Sequence, residues 1–579
     1  MLIWISVLLA LLAVPLCIIL DRFFRKKDCA IPWFMWYLLF VLPFGAGGFH
    51  TFLTPVTAAV LTGALCQTGK KRKELHLVWN GNAAALGLLV LGYCITLFWA
   101  ADKGMAFFGL ARYLPLLMLT LLLMQYDREE KAGFLACLPA CGVAVTVVCF
   151  GIFQIPAIKS AVTVIGRFSG SFQYPNTYAA FLLVCLGVLG TKQKLTWLDI
   201  PAAAVLMTGL YLSGSRIGLM MLAVVLPGIA VARGKLPRVV LWILLGVGGA
   251  AGILLMLNGG EGKLLGRSLA SMYSRLLFYK DALPVIWKHP FGLGYYGYRV
   301  LLPTFQTGRY AASYVHNVLM QLMLDIGWIP ALVFAFRMGM TLLSPKVRPQ
   351  SKLLLGTILL YGLLDFHFQF FFFWVVLLLC LDLDTGKKIS FPNSRRLCPL
   401  LCAPVLVLCC WLGTGDLLYR AGNYAGVLKV TPFHTEAMTE QLKTLSDAEE
   451  LEALADRILK QCPTVSLAYS AKANAAMARG DALGMIRNKE QAIACAPYTQ
   501  AEYCDYIDKL YAFMSRYVQL GDQTSAAYCL DRILQVPRMM EMVSAKTDPM
   551  AHIAISDTAL TLPQAYQDLI LALQEANPG

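Results

Sequence analysis

Residues 49–99 read FHTFLTPVTAAVLTGALCQTGKKRKELHLVWNGNAAALGLLVLGYCITLFW. Two apolar runs, 49–67 and 82–99, flank Lys70, Lys71, Arg72 and Lys73. Each run is close to the ~20 residues that a helix needs to cross a hydrocarbon core about 30 Å thick. The basic cluster between them marks a cytoplasmic loop, because Lys and Arg accumulate on that side of a membrane. The pattern continues in both directions. Further apolar runs predict helices near 1–20, 31–45, 107–124, 133–155, 174–190, 197–212, 216–232, 238–257, 316–341, 352–365, 367–381 and 397–413. The pairs 31–45/49–67 and 352–365/367–381 also fit re-entrant hairpins, which leaves the topology outside them unchanged. The 1–20 run has no basic leading segment and no small-residue cleavage site, so it reads as a retained first helix.

The connections test this count. Those at 21–30 (Arg22, Arg25, Lys26, Lys27), 68–81, 125–132, 191–196, 232–238 (Arg233, Lys235, Arg238), 343–352 (Lys346, Arg348, Lys352) and 382–396 (Lys387, Lys388, Arg395, Arg396) all carry Lys or Arg. They are every second connection, so all seven fall on the cytoplasmic side. The N-terminus and everything after 413 are then outside. The remaining connections, 100–106, 156–174, 212–216, 258–315 and 365–367, face outward. The 258–315 loop is long and cationic: Lys263, Arg267, Arg275, Lys280, Lys288, Arg299 and Arg309 against Glu261 and Asp281.

Composition agrees with a membrane protein. Hydrophobic residues make up 58% of the 579 and charged residues 14%, against about 25% charged in a soluble chain. The net charge of +15 is unevenly spread: 414–579 holds 14 Lys+Arg and 20 Asp+Glu, leaving +21 on 1–413. That excess suits positive-inside loops and anionic ligands, and no aromatic-interleaved basic stripe suggests nucleic acid. Thirteen of the 17 cysteines lie at or before Cys410, mostly in apolar runs, where a thiol is a small hydrophobe. No C-x-x-C pair suggests zinc or redox chemistry. Cys462, Cys495, Cys504 and Cys529 lie in the tail, where disulfides cannot be paired by reading.

After 413 the chain becomes Ala-rich, charged and periodic. Gly480-Asp481 separates two amphipathic helices and recurs as Gly521-Asp522; Pro463, Pro497 and Pro537 punctuate the units. The pattern resembles tetratricopeptide repeats, which stack to bury their apolar faces and offer a concave surface to a protein partner. A plain helical bundle is the alternative.

Polar groups without a topological duty collect on the outward connections. They are Arg167, Arg216, Arg275 with Tyr279 one turn away, His289, and His316-Asn317. A lipid-linked sugar diphosphate presents two phosphates at that level. Guanidinium groups grip phosphate oxygens in pairs without a metal, and they stabilise the charge that develops on a leaving diphosphate. A histidine can take the proton of an attacking sugar hydroxyl. The plainer readings are that terminal arginines such as Arg167 and Arg299 snorkel, that His289 caps a turn before Pro290, and that His316 only opens a helix. The Gly-Ser-rich approach to Arg216 would let backbone come close to a ligand. Arg112 and Asp325 lie at or near membrane depth and are functional candidates for that reason. Asp365 and His367 read as a solvated outer turn, and so do Asp102 and Lys103. No outward Asp pair offers a divalent-metal bridge. Asp382 and Asp384 have that spacing but fall on the cytoplasmic side, as a solvated loop.

Four segments carry a family resemblance: 166–180 (GRFSGSFQYPNTYAA), 211–218 (YLSGSRIG), 275–294 (RLLFYKDALPVIWKHPFGLG) and 316–327 (HNVLMQLMLDIG). In this order, with the long outer loop before the last, they resemble the O-antigen ligase/polymerase family of bacterial membrane glycosyltransferases. The resemblance covers roughly 150–345. It implies an all-α, GT-C-like bundle, which the apolar runs place at 1–413 with about 12–14 membrane helices; the soluble helical domain expected at 414–579 rests on the composition and repeats of the tail. The resemblance also implies metal-independent, cofactor-free transfer of a glycan from an undecaprenyl-diphosphate donor to a sugar or glycan acceptor, with inversion, at the outer face of the cytoplasmic membrane. By motif position Arg216 and Arg275 hold the diphosphate and His316 serves the acceptor. Arg167, Asn176, Ser215, Tyr279, His289 and Asn317 are substrate-binding candidates. The family has Glu in the helix after His-Asn; Asp325 stands near that place here. The repeat tail is not general in the family and would recruit an acceptor or a protein partner.

Ligase and polymerase share a donor and are not separated by these motifs. A peptidoglycan polymerase of the shape, elongation, division and sporulation type shares the general architecture, but the motif order favours the O-antigen family. A transporter would be expected to show repeated halves with paired broken helices, which this sequence lacks. A scaffold needs far fewer membrane helices than these.

Overall fold

A computed structural model describes residues 12–19, 21, 31–237, 239, 240, 243, 246, 263–392, 394–555 and 559–576, with side chains of the outer loop described from 270. The expected helix at 238–257, most of the helix at 1–20 and the basic connection 21–30 lie outside the described residues. So do the side chains of Glu261, Lys263 and Arg267.

The described chain is a helical bundle. Five helices are long and apolar enough to cross a membrane: Thr51–Arg72, Gly81–Phe98, Lys103–Leu123, Arg128–Phe153 and Ser394–Arg420. Shorter apolar helices fill the bundle, among them Pro175–Gly190, Asp199–Leu212, Arg216–Ala232, Trp328–Leu343 and Phe371–Cys380. The 31–45 run is not one regular helix; it passes from an α turn at Trp33–Trp36 through a π turn to a 3-10 turn ending at Phe44. Phe371–Cys380 (FFFWVVLLLC) is buried at every position. A helix apolar all round belongs at the centre of a bundle, and this one anchors the Asp365–Gln369 turn that precedes it.

Local sequence sets the helix ends. Asn80 accepts from the N–H groups of Asn82 and Ala83, and Asp102 does the same for Gly104 and Met105. Asp127 and Glu130 form a reciprocal capping box. Lys70, Lys71 and Arg72 occupy the last turn of their helix, where cations oppose the negative end of the helix dipole.

The basic connections meet at one end of the bundle. Leu75–Trp79 pairs antiparallel with Lys387–Phe391. Arg128 pairs with Asp382 at 2.5 Å and Lys131 with Asp384 at 2.6 Å. Arg348 pairs with Glu129. Gln350 donates to the Thr191 hydroxyl and Arg233 to the Lys192 carbonyl. Asp382 and Asp384 are therefore not a solvated loop; they neutralise cations of a neighbouring connection, one of which, Lys131, is itself buried.

The 258–315 region contains helices rather than open loop: Lys263–Lys288 and Gly297–Phe305. The expected helix 316–341 breaks at Gly327, giving Val318–Ile326 and Trp328–Leu343. Gly327 has φ +85°, and a Cβ there would lie 2.5 Å from the Pro290 carbonyl oxygen. Residues 290–294 fill the break. Leu293 and Gly294 donate to the carbonyls of Leu324 and Asp325, and Trp328 donates to Pro290. The backbone groups freed by the break are thus satisfied. Asp325 is buried behind it, accepting from Tyr93 and Gln321.

Ser394–Arg420 carries the chain without interruption past 413. The C-terminal part then forms helical hairpins, Ser466–Ala478 with Ala482–Cys495 and Gln500–Gln519 with Gln523–Ser544. Gly480 and Gly521 turn the hairpins with positive φ. Pro537 does not close a unit but sits inside Gln523–Ser544. This part docks on the end of the bundle opposite the basic connections. Arg299 pairs with Glu436 at 2.9 Å, Lys280 pairs with Asp548, and the Asp548 N–H donates to the Thr307 carbonyl.

Asp102 is not solvated: it is fully buried in that junction and accepts from the Thr435 hydroxyl at 2.8 Å. Burial lifts its carboxyl to about 6, against the opposing bonds from Met105, Thr435 and Gly104. Nearby His434 is pushed down to about 4, again chiefly by burial. The signs oppose. A raised carboxyl favours docking at low pH and loses that advantage as pH rises through about 6; a depressed imidazole favours docking at high pH and is lost as pH falls from 6.5 towards 4. Asp102→Asn removes one of the two raised carboxyls that oppose the histidine, the other being Glu436, which burial also lifts. Hydrogen exchange at 435–442 should then become more acid-sensitive between pH 6.5 and 4.5, by on the order of 1–3 kcal/mol. An unchanged pH profile would contradict this balance.

Candidate functional site

The site forms at the end of the bundle where the C-terminal part docks, around a carboxylate. Asp365 follows the Pro349–Gly362 helix and has no exposed surface. Its Oδ2 accepts from Asn176 Nδ2 at 2.9 Å and lies 3.7 Å from Arg275 Nη2. Its Oδ1 accepts from the Phe366 N–H at 2.8 Å and lies 3.7 Å from His316 Nδ1. The last distance is too long for a hydrogen bond but close enough for electrostatic coupling. Burial alone would raise the Asp365 carboxyl; His316 and then Arg275 outweigh it and hold it below the usual carboxylate range.

Each neighbour is fixed by its own element. Asn176 lies in the first turn of Pro175–Gly190 and accepts from Arg167 Nη2 at 3.2 Å and from the Ser215 hydroxyl at 3.0 Å. Ser215 also caps Arg216–Ala232 through the Gly218 N–H and meets the Tyr361 hydroxyl. Arg167 Nε donates to the Ser213 carbonyl at 3.0 Å. Arg275 projects from the long amphipathic helix; Nε donates to Leu364 O at 2.8 Å and Nη1 to the Ser271 carbonyl and hydroxyl. Its remaining amino group faces Asp365.

His316 stands in the left-handed backbone region, with φ +57°. This sparsely populated conformation is held on both sides. Tyr279 donates to the His316 carbonyl and to Leu363 O, while Asn317 caps the next helix through Met320 N–H and donates to Leu363 O. Strain retained by so many contacts is a mark of functional geometry. The ring packs against Phe278 and Phe366, and a fifth of the side chain is exposed.

Seven of the candidates, Arg167, Asn176, Ser215, Arg275, Tyr279, His316 and Asn317, are thus joined in one group. Arg216 is exposed at its rim, one residue from Ser215 and within electrostatic reach of Arg167. His289 is not part of the group. It follows the far end of the helix bearing Arg275, about 21 Å along the axis at 1.5 Å per residue, and its carbonyl closes a turn with Gly292. Arg112 is buried and committed to backbone: it donates to Phe49 O, to Gln369 O at 2.7 Å and to the Tyr295 hydroxyl. It braces the turn that follows Asp365. The turn of Asp365 and His367 is not solvated; like His367, Asp365 is fully buried. Its signal was a lone acid in LLDFHFQFFFFW, where surrounding apolarity makes a charge costly unless it is partnered.

Residues 179–335 match the family model described as O-antigen ligase. This segment is similar to O-antigen ligase domains. It contains Ser215, Arg216, Arg275, Tyr279, His316 and Asn317; Arg167 and Asn176 lie just before it, and Asp365 lies beyond it. No curated protein and no solved structure matches the chain. Among the described residues no group of three or more His, Cys, Asp or Glu gathers as a metal site. The group holds Arg167 and Arg275, with Arg216 at its rim, against one carboxylate, Asp365, which suits an anionic ligand.

Proposed function

We propose that this O-antigen ligase-type membrane protein is a glycosyltransferase that moves a glycan from an undecaprenyl-diphosphate donor to a sugar or glycan acceptor, at the outer face of the cytoplasmic membrane. Convergence of Arg167, Arg275 and His316 on the Asn176–Asp365 pair is the observation that carries the reading. Arg275, Arg167 and rim-exposed Arg216 hold the diphosphate. No metal is required where guanidinium groups supply the charge.

A cavity of about 680 Å³ supports a lipid-borne donor. It is almost wholly apolar and is lined by Val318, Leu322, Phe334, Leu353, Leu359 and Leu363, among others. Val318 follows Asn317, and Leu363 O receives the Tyr279 and Asn317 side chains. A polyprenyl tail in this cavity would deliver its diphosphate to the arginines. Lys352, near the basic connections, lies at its other end.

In the reaction, the acceptor hydroxyl oxygen attacks the anomeric carbon from the face opposite the diphosphate. The carbon–oxygen bond to the diphosphate breaks, and its electron pair stays on the departing phosphate oxygen. The hydroxyl proton passes to His316, which Asp365 orients. The C-terminal hairpins, on the extracytoplasmic side, offer a repeat-like surface for a protein partner or the acceptor.

Arg275→Ala should lower kcat about 10²- to 10³-fold, as for removal of one charge-stabilising donor, in a purified, lipid-reconstituted assay with a polyprenyl-diphosphate-linked glycan. Undiminished turnover would overturn the site assignment.

A further inference from the structure

Beyond the ligase site, three cations surround a separate cleft of about 390 Å³ where the bundle meets the C-terminal part. It is lined by Lys103, Arg457, Lys460 and Gln461, almost wholly through their carbon atoms, with the charged groups at its edge. Lys103 opens the membrane-spanning Lys103–Leu123 helix; the other three lie on Ala448–Gln461. All three cations are exposed. Among the described residues, none of them forms an ion pair, and Arg457 only touches the Pro432 carbonyl at 3.2 Å.

The nearby carboxylates are engaged elsewhere. Asp456 pairs with Lys472 at 2.6 Å and Glu436 with Arg299. Asp102 is buried and directed at Gly104, Met105 and Thr435. Half of the 14 cations of the C-terminal part, which has net charge −6, have acidic partners: Arg420, Lys443, Lys472, Arg479, Lys489, Lys509 and Arg532. Arg457 and Lys460 belong to the other half.

The position suggests the ligand. Phe98 (82% exposed) and Trp99 (44%) end the preceding helix, and Trp411 is also exposed. Exposed aromatic rings at helix ends mark the level of lipid headgroups. Cations at that level lie beside phosphate. An acidic domain resting on an anionic leaflet would be repelled, and unpaired cations at the point of contact reverse that repulsion.

We infer that Lys103, Arg457, Lys460 and Gln461 bind the phosphate of an anionic membrane lipid and so fasten the C-terminal part to the bilayer. The inference does not depend on the glycosyltransferase reading. The test uses the full chain in nanodiscs containing a photoactivatable phosphatidylglycerol, with labelled peptides mapped by mass spectrometry. Labelling should fall on peptides containing 98–103 and 457–461. It should drop at least tenfold in the combined variant Lys103→Gln, Arg457→Gln, Lys460→Gln, whose substituted side chains are exposed. A photoactivatable phosphatidylcholine should not label the cleft. Equal labelling of the variant would overturn the site. Full competition by glycerol 1-phosphate at concentrations matching the lipid would overturn the lipid as source and assign the cleft to a soluble phosphate.

Discussion

His316→Ala is expected to lower turnover of a lipid-linked glycan by about 10²- to 10⁴-fold, the usual contribution of a positioned general base, while donor binding changes little. The two effects separate because different side chains carry them. The diphosphate is assigned to Arg167, Arg216 and Arg275. His316 touches none of these directly; its ring sits between Phe278 and Phe366 with Nδ1 towards Asp365. Its exposure leaves it reachable by an acceptor hydroxyl. A binding isotherm for the donor and a single-turnover rate, measured on the same preparation, decide the matter. If the variant binds donor poorly and yet turns over bound donor at the native rate, His316 is a donor ligand and not the base.

The helices were legible because lipid imposes a simple rule: a backbone in hydrocarbon must bond to itself over about 20 apolar residues. Lys70–Lys73 and the other basic connections gave the alternation, and the pairing of 75–79 with 387–391 joins two of those connections. The site arginines were visible for the same reason, since charge near a membrane end stands out. Three features were hidden, each by a long-range contact. The break at Gly327 exists because residues 290–294 insert there; within HNVLMQLMLDIG only the closing glycine hints at it. Asp102 looks solvated until Thr435, far along the chain, covers it. Asp365 sits on a turn, where exposure is the default expectation, and only its partners Asn176, Arg275 and His316 make it a buried hub. Local pattern reports what a residue prefers, whereas these roles depend on what arrives from elsewhere.

Asp365→Ala and Asp365→Asn should both be severely impaired, and the comparison isolates what the carboxylate does. All four of its neighbours present donors or positive charge: Asn176 Nδ2, the Phe366 N–H, Arg275 Nη2 and His316 Nδ1. Only an acceptor-only group satisfies such a set. Alanine leaves Arg275, whose side chain is 12% exposed, without its counter-charge. Breaking a buried pair from one side typically costs about 3–5 kcal/mol, so a lower Tm is expected. Asparagine keeps the shape but turns an NH₂ towards other donors, so it should not rescue activity. If Asp365 acts through His316 and Arg275, as proposed, its loss should be strongly non-additive with theirs. In the Asp365→Asn background, His316→Ala should reduce turnover by less than about tenfold further. Coupling of this kind is the signature of residues that work as one unit. If the two losses instead multiply, Asp365 holds the fold alone, and the histidine gains its orientation from Tyr279, Asn317 and the left-handed turn.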